Sequence, residues 1–199
     1  EPERQSNVSQ EKIAQGMQIL AAAATLTGKS NIQIDSYNNT EELNCRSILT
    51  DWYDGEIKEL CSRAILGGVI YNSVRFRDRE IREYLAAMWL HKLLCQTNSR
   101  RQVEALFFAE QYGEHVVMPR LRPLLPWLIL WDESIRTKAL EISPEIAVEG
   151  GDISQLPLAI RQEILTSIVD DIVQGKDKRN AQDNLAIARI AQLDLQTDV

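Results

Sequence analysis

The residues best suited to chemistry lie between positions 75 and 83. Arg75, Arg77, Arg79 and Arg82 gather there, with Asp78, Glu80 and Glu83 set between them. Four guanidinium groups on a loop and the helix after it are a phosphate-binding constellation, because each offers a fork of donors to an oxyanion. Binding of a nucleic-acid backbone, however, draws its strength from uncompensated positive charge. The interleaved carboxylates leave this cluster with little net charge, and the whole chain carries −7. Helix-surface ion pairs are the simpler use of these side chains, at about 0.3–0.5 kcal/mol each.

Other chemistries have less support. Gly28-Lys29-Ser30 has the end of a phosphate loop, but the motif needs a second glycine where Ala23 stands, between a strand and a helix. Here it follows a helical stretch, so Gly28 reads as a helix C-cap. His91 and His115 have no partners at metal or triad spacing. Cys45, Cys61 and Cys95 are far apart in sequence, without any Cys-x-x-Cys, and read as reduced, buried thiols of a cytosolic protein. No apolar run is long enough to span a bilayer. Hydrophobic residues make up 44% of the 199, enough for a core.

These residues must be positioned by helices. Ile13, Met17, Leu20, Ala21 and Ala24 share one face of a helix over 10–25, capped by Ser9. The stretch 31–35 alternates like a strand, and Ser36 to Thr40 reads as a turn. A second helix is expected from Thr40, with Cys45, Ile48, Leu49 and Trp52 in register, broken at Asp54-Gly55. A third carries Ile57, Leu60, Cys61, Ala64 and Ile65 and stops at Gly67-Gly68. A β-hairpin comes next, turning at Asn72-Ser73. A long helix over 79–96 then buries Ile81, Tyr84, Leu85 and Met88, with Asp78 as its cap. Helix, strand, two helices, hairpin, helix is the element order of a winged-helix domain. The remainder reads as all helical, over 99–112, 119–131, 133–142, 157–174 and 181–193, with prolines kinking or delaying the second. Trp52, Trp89, Trp127 and Trp131 are core candidates.

Ile135-Arg136 and Ala139-Leu140 are echoed by Ile160-Arg161 and Ile164-Leu165. Such an echo suggests stacked helical hairpins of a degenerate HEAT or armadillo type, since their usual period is longer, at ~40 residues. The expected fold is therefore mainly α: a 1–9 linker, a winged-helix-like domain over 10–98 with a small β-hairpin, and a HEAT/armadillo-like helical array over 99–199. The chain begins at Glu1 rather than Met and reads as a piece of a longer protein.

Phe76, Glu83, Tyr84, Leu85, Ala86 and Ala87 form the most specific pattern. It resembles the end of the winged-helix domain in NACHT-type STAND ATPases, approximately F-x-H-x-x-x-x-E-[YF]-L-A-A. Tyr112-Gly113, Pro119-x-Leu-Arg-Pro123, Trp127-Leu128, Gly151-Asp152-x-Ser-Gln-Leu156-Pro157 and Arg161 are similar to the segment just beyond the ATPase module in bacterial antiviral members. The resemblance covers about residues 10–170. It implies a cytoplasmic protein that holds ADP at rest in an upstream nucleotide-binding domain of the same chain and exchanges it for ATP. A ligand, often a phage protein, is sensed by downstream repeats, and the intact protein oligomerises with itself on activation. These residues would be a regulatory link without catalysis or cofactor of their own. The family's phosphate-touching histidine falls at Asp78, with Arg77 and Arg79 beside it as substitutes. Rival readings are a winged-helix transcription regulator with a helical ligand or dimerisation domain, and a helical scaffold for protein partners. An independent enzyme comes last.

Overall fold

The computed structural model describes residues 8–35 and 42–175. The turn at Ser36 to Thr40, most of the 1–9 linker and the expected helix over 181–193 lie outside the described residues. The described residues are mainly helical with two small sheets. It packs as two compact units, one ending at Leu93 and the other beginning at Leu94.

The first unit opens with helix α1, Gln10–Thr27. Ser9 Oγ accepts from the Lys12 amide at 3.2 Å, so the expected cap forms. Ile13, Met17, Leu20, Ala21 and Ala24 are all buried, and a fully buried leucine such as Leu20 contributes about 2 kcal/mol. Gly28 ends the helix at φ 72°, its amide bonded to Thr25 O. The Gly-Lys-Ser run is therefore the C-cap.

Strand β1, Ile32–Gln33, is the middle of a three-stranded sheet. It pairs in parallel with β2, Leu43–Asn44, and antiparallel with β3, Ser73–Val74. Ile32 and Val74 face each other in register and both are buried. The expected long second helix is a single turn, α2, Cys45–Ile48. Strand pairing occupies Leu43 and Asn44, and Asn44 then caps the turn by accepting from the Arg46 amide at 2.8 Å. Asp54 and Gly55 open helix α3, Asp54–Cys61, rather than breaking one. That helix ends early, leaving Ala64 and Ile65 exposed and burying Leu66.

Helix α4 spans Arg79–Leu94. Its buried positions are Ala86, Ala87, Leu90 and Leu94. Tyr84, Leu85 and Met88 are only half-buried and Ile81 is exposed, so the expected core face is rotated.

The second unit begins with α5, Thr97–Phe107. Beyond Phe107 the chain is not helical, contrary to the expected run to 112. It forms an antiparallel hairpin of β4, Phe108–Gln111, and β5, Glu114–Val117. Tyr112 and Gly113 turn it at φ 55° and 82°, the positive angles a tight hairpin turn demands. The prolines delay the next helix, as expected: a 3-10 turn, Arg122–Leu124, precedes α6, Leu125–Trp131. Then come α7, Glu133–Ile142, two further 3-10 turns, Pro144–Val148 and Ile153–Gln155, and α8, Leu158–Val173. Leu124, Leu125, Leu128, Ile129 and Ile135 make the centre of this unit. The four tryptophans, expected in the core, are only half-buried.

The echo repeats in burial only in part: Ala139 and its counterpart Ile164 are both buried, but Ile135 is buried where Ile160 is not, and Arg161 is buried where Arg136 is not.

Candidate functional site

The arginine cluster is assembled by the chain reversal ahead of α4. Leu66 and Phe76 form an antiparallel bridge, and Gly67 donates to Arg75 O at 2.7 Å. At the tip, Ile70 and Ser73 exchange backbone bonds at 3.0 Å. The turn residues are Tyr71 and Asn72, at φ 49° and 58°, one position earlier than the sequence suggests. Asn72 tolerates that left-handed conformation well, and its carbonyl accepts from the Ile34 amide at 2.9 Å, tying the tip to the sheet. Val69, Ile70 and Tyr71 project into solvent, Tyr71 at 94% exposure.

Phe76 is buried at the base and the chain then turns into α4. Asp78 Oδ1 accepts from the Ile81 amide at 3.0 Å, which makes Asp78 the N-cap. This carboxylate satisfies one of the free amides of the first turn and suits the positive end of the helix. Arg77 Nε donates to Leu66 O at 3.1 Å, and its amide donates to Ile65 O. Arg79 Nε meets Glu83 Oε1 at 2.6 Å. That hydrogen bond, with the carboxylate's charge, raises the guanidinium further above its ordinary range. Ala86 and Ala87 are fully buried one turn on, while Tyr84 and Leu85 stay half-buried. Arg82 Nε is buried without a hydrogen-bond partner.

The structure thus brings Phe76, Arg77, Asp78, Arg79 and Glu83 to one junction and gives each polar member a structural bond. Arg77 closes the hairpin base, Asp78 starts the helix and Arg79 pairs along it. A phosphate approaching Arg79 would compete with the Glu83 carboxylate for its guanidinium. Among the described residues, no group of three or more His, Cys, Asp or Glu side chains is arranged to hold a metal ion.

Two polar centres of the second unit escaped the sequence reasoning. Arg100 grips Asp132 with two bonds, Nη2 to Oδ1 at 2.8 Å and Nη1 to Oδ2 at 3.0 Å. Asp132 is buried and also caps α7 by accepting from the Ile135 amide at 2.9 Å. Arg100 Nη1 reaches Leu94 O as well, and its Nε meets Glu104. Asp132 directly before Glu133 was the available signal, a helix-capping pattern. In the other centre, Arg122 clasps Glu149 through Nε and Nη2 and reaches Ser143 Oγ at 2.8 Å.

The second stretch of the family-like pattern gathers within the same unit. Tyr112-Gly113 is a hairpin turn. Gly151 backs onto Pro126, and Asp152 bonds the Ser154 amide. Arg161 is buried, with Nε on Leu156 O at 3.2 Å. These residues shape backbone. Among the described residues, no helix is long and apolar enough to cross a membrane. Comparison of the chain with family models, with curated proteins and with solved structures finds no match.

Proposed function

We propose that the chain is a regulatory, non-catalytic part of a cytoplasmic STAND ATPase of antiviral defence. Its first unit serves as the winged-helix module and its second as the start of a helical sensor array. The observation that carries this reading is the junction at 76–87. Phe76, Ala86 and Ala87 are buried, Glu83 is paired, and Asp78 stands at the helix start where the family places its phosphate-touching histidine. The strand order also supports it, because β3 returns from the reversal to pair with β1.

In this reading Asp78 has given up contact with the nucleotide, and the junction relays movement instead. A carboxylate repels phosphate, and Arg77 and Arg79 each commit Nε to a bond within the junction. ATP and ADP bind in an upstream nucleotide-binding domain. A phage protein is sensed through the downstream repeats, and the intact protein forms homo-oligomers when activated. Allosteric coupling of this kind requires differential contacts in two states.

A second reading, a scaffold for protein partners, is favoured by the exposed apolar tip at Val69, Ile70 and Tyr71. A wing that enters DNA would instead present uncompensated basic residues.

Reading the coding sequence ahead of Glu1 tests the proposal. An in-frame Gly-x4-Gly-Lys-[Ser/Thr] loop after an apolar strand is expected there. An open reading frame that starts within the few codons before Glu1 would overturn it. Calorimetry on these 199 residues should also give no sub-micromolar ATP affinity.

A further inference from the structure

Cys45 and Cys61 are distant in sequence but adjacent in space. Their sulfurs are 3.8 Å apart, and both side chains are buried, Cys45 at 0% and Cys61 at 4% exposure. Cys45 is the first residue of α2 and Cys61 the last of α3. Cys95, in contrast with its expected burial, is exposed. We propose that Cys45 and Cys61 are a site of oxidation by a hydroperoxide, which converts them to an intramolecular disulfide tying α2 to the end of α3. This inference does not depend on the proposed function above.

The geometry suits that bond. A disulfide requires the sulfurs to close to about 2.05 Å, a movement of roughly 1.8 Å shared between two side chains and their backbones. The four-residue helix α2 has only one turn to adjust. No other thiol competes inside the unit, because Cys95 belongs to the other one. The enclosed segment includes Trp52, whose ring lies against α1 at Gly16, and Glu56, which bonds Lys12 on α1. Closing the loop would therefore fix the stretch that holds α1.

The two sulfurs are unequal. The Cys45 thiol is pushed up by its hydrogen bond to Cys61, by burial and by the charges of Cys61 and Asp35. Cys61 is drawn down by accepting that same bond, against burial and Asp35. Cys61 is also the more exposed of the pair, so it is the attacking thiolate. Its sulfur attacks the near oxygen of the hydroperoxide and the O–O bond breaks. Cys61 becomes a sulfenic acid, and the departing alkoxide takes a proton to leave as the alcohol, or as water from hydrogen peroxide. Cys45 sulfur then attacks Cys61 sulfur, the S–O bond breaks, and hydroxide leaves as water with the proton from Cys45. In sum, two thiols lose two protons and two electrons. One hydroperoxide is reduced to one alcohol and one water.

The test uses the full chain carrying Cys95→Ser, treated with hydrogen peroxide, quenched with catalase, unfolded and alkylated with iodoacetamide. Both remaining cysteines should be protected and should appear in one cross-linked peptide by mass spectrometry. Dithiothreitol should restore both to alkylation, and the oxidised chain should melt at a higher temperature than the reduced one. In a Cys45→Ala, Cys95→Ser chain, Cys61 should instead go on to the sulfinic acid, with no rise in melting temperature. Alkylation of both cysteines to the level of the untreated chain overturns the proposal. So does a cross-link that forms only when peroxide is added in denaturant. Should the Cys45→Ala chain fail to fold, the alkylation result on the intact pair still decides.

Discussion

A Cβ built on Gly151 would stand 2.5 Å from the carbonyl oxygen of Pro126, and Gly151 itself sits at φ 69°. Both facts demand glycine: the backbone angle is costly for an L side chain, and the obstacle is backbone that cannot swing aside. Gly113 provides a control, with φ 82° but nothing within 4 Å. Gly113→Ala should cost about 1–2 kcal/mol, the left-handed penalty alone. Gly151→Ala should cost more, roughly 3 kcal/mol or above, because the contact adds to it. Equal urea midpoints for the two variants would show that the Pro126 contact relaxes freely.

Leu90 should carry the stability of α4. It is 1% exposed, whereas Ile81 is 41% exposed. Leu90→Ala is expected to cost about 2–5 kcal/mol, and Ile81→Ala under about 1 kcal/mol. Denaturant unfolding monitored by circular dichroism reads both, and the reverse order would restore the helix face that the sequence suggests.

Asp78 should act through the α4 N-terminus. Asp78→Ala is expected to lose about 0.5–2 kcal/mol, and Asp78→Asn or Asp78→Ser to regain most of it, since each keeps an acceptor for the Ile81 amide. Thermal melts of the three variants suffice. If none moves the midpoint, the hydrogen bond contributes nothing to stability and Asp78 is free for another role.

Glu56 should make the first unit sensitive to acid. Its carboxylate takes the Lys12 ammonium at 2.6 Å and the Tyr53 amide at 2.9 Å, and these bonds hold it below the usual carboxylate range. A carboxyl group with a depressed folded-state pKa stabilises fully above its unfolded value of about 4.3. That contribution is lost as pH falls through the lower folded value. Glu56→Gln should therefore be less stable than the parent at about pH 7, and the gap should close as the pH is taken below about 4. Urea midpoints across that range measure it, and a gap that stays constant would remove Glu56 from the acid response.

The helices most legible in the sequence were those with both an apolar stripe and a polar cap. Ser9 with Ile13, Met17 and Leu20 announced α1, and Asp78 announced where α4 begins. The face of α4 was misjudged because its innermost residues, Ala86 and Ala87, carry little hydrophobic weight, while Ile81 and Tyr84 carry much and stay exposed and half-buried respectively. The α2 region failed differently. Cys45, Ile48, Leu49 and Trp52 keep helical spacing, yet β2 pairs with β1 just before them, a non-local contact that no window of sequence contains. The β4–β5 hairpin was hidden because Val103 and Phe107 extend a helical period up to its first residue. Its turn pair, Tyr112-Gly113, was the signal that counted. At the junction, the sequence put Arg77, Asp78 and Arg79 together, as the structure does. The Arg79–Glu83 pair, four residues apart on one helix, is the surface ion pair that the sequence suggests, whereas the bond from Arg77 to Leu66 O, eleven residues away across the reversal, has no local signature.

The two-residue strand β1 bears on the order in which the molecule matures. Its partners are β2 and β3, and β3 comes some forty residues later in the chain, so the sheet cannot close until the reversal at Tyr71-Asn72 has been made. In the second unit, β4 pairs with β5 and α6 packs on α7, each a neighbour in sequence. Contacts between sequence neighbours form sooner than those that must close a long loop. The unit synthesised first is thus the one that waits. During refolding, the amides of β4 and β5 should gain protection from hydrogen exchange before the Ile34 amide, which depends on Asn72.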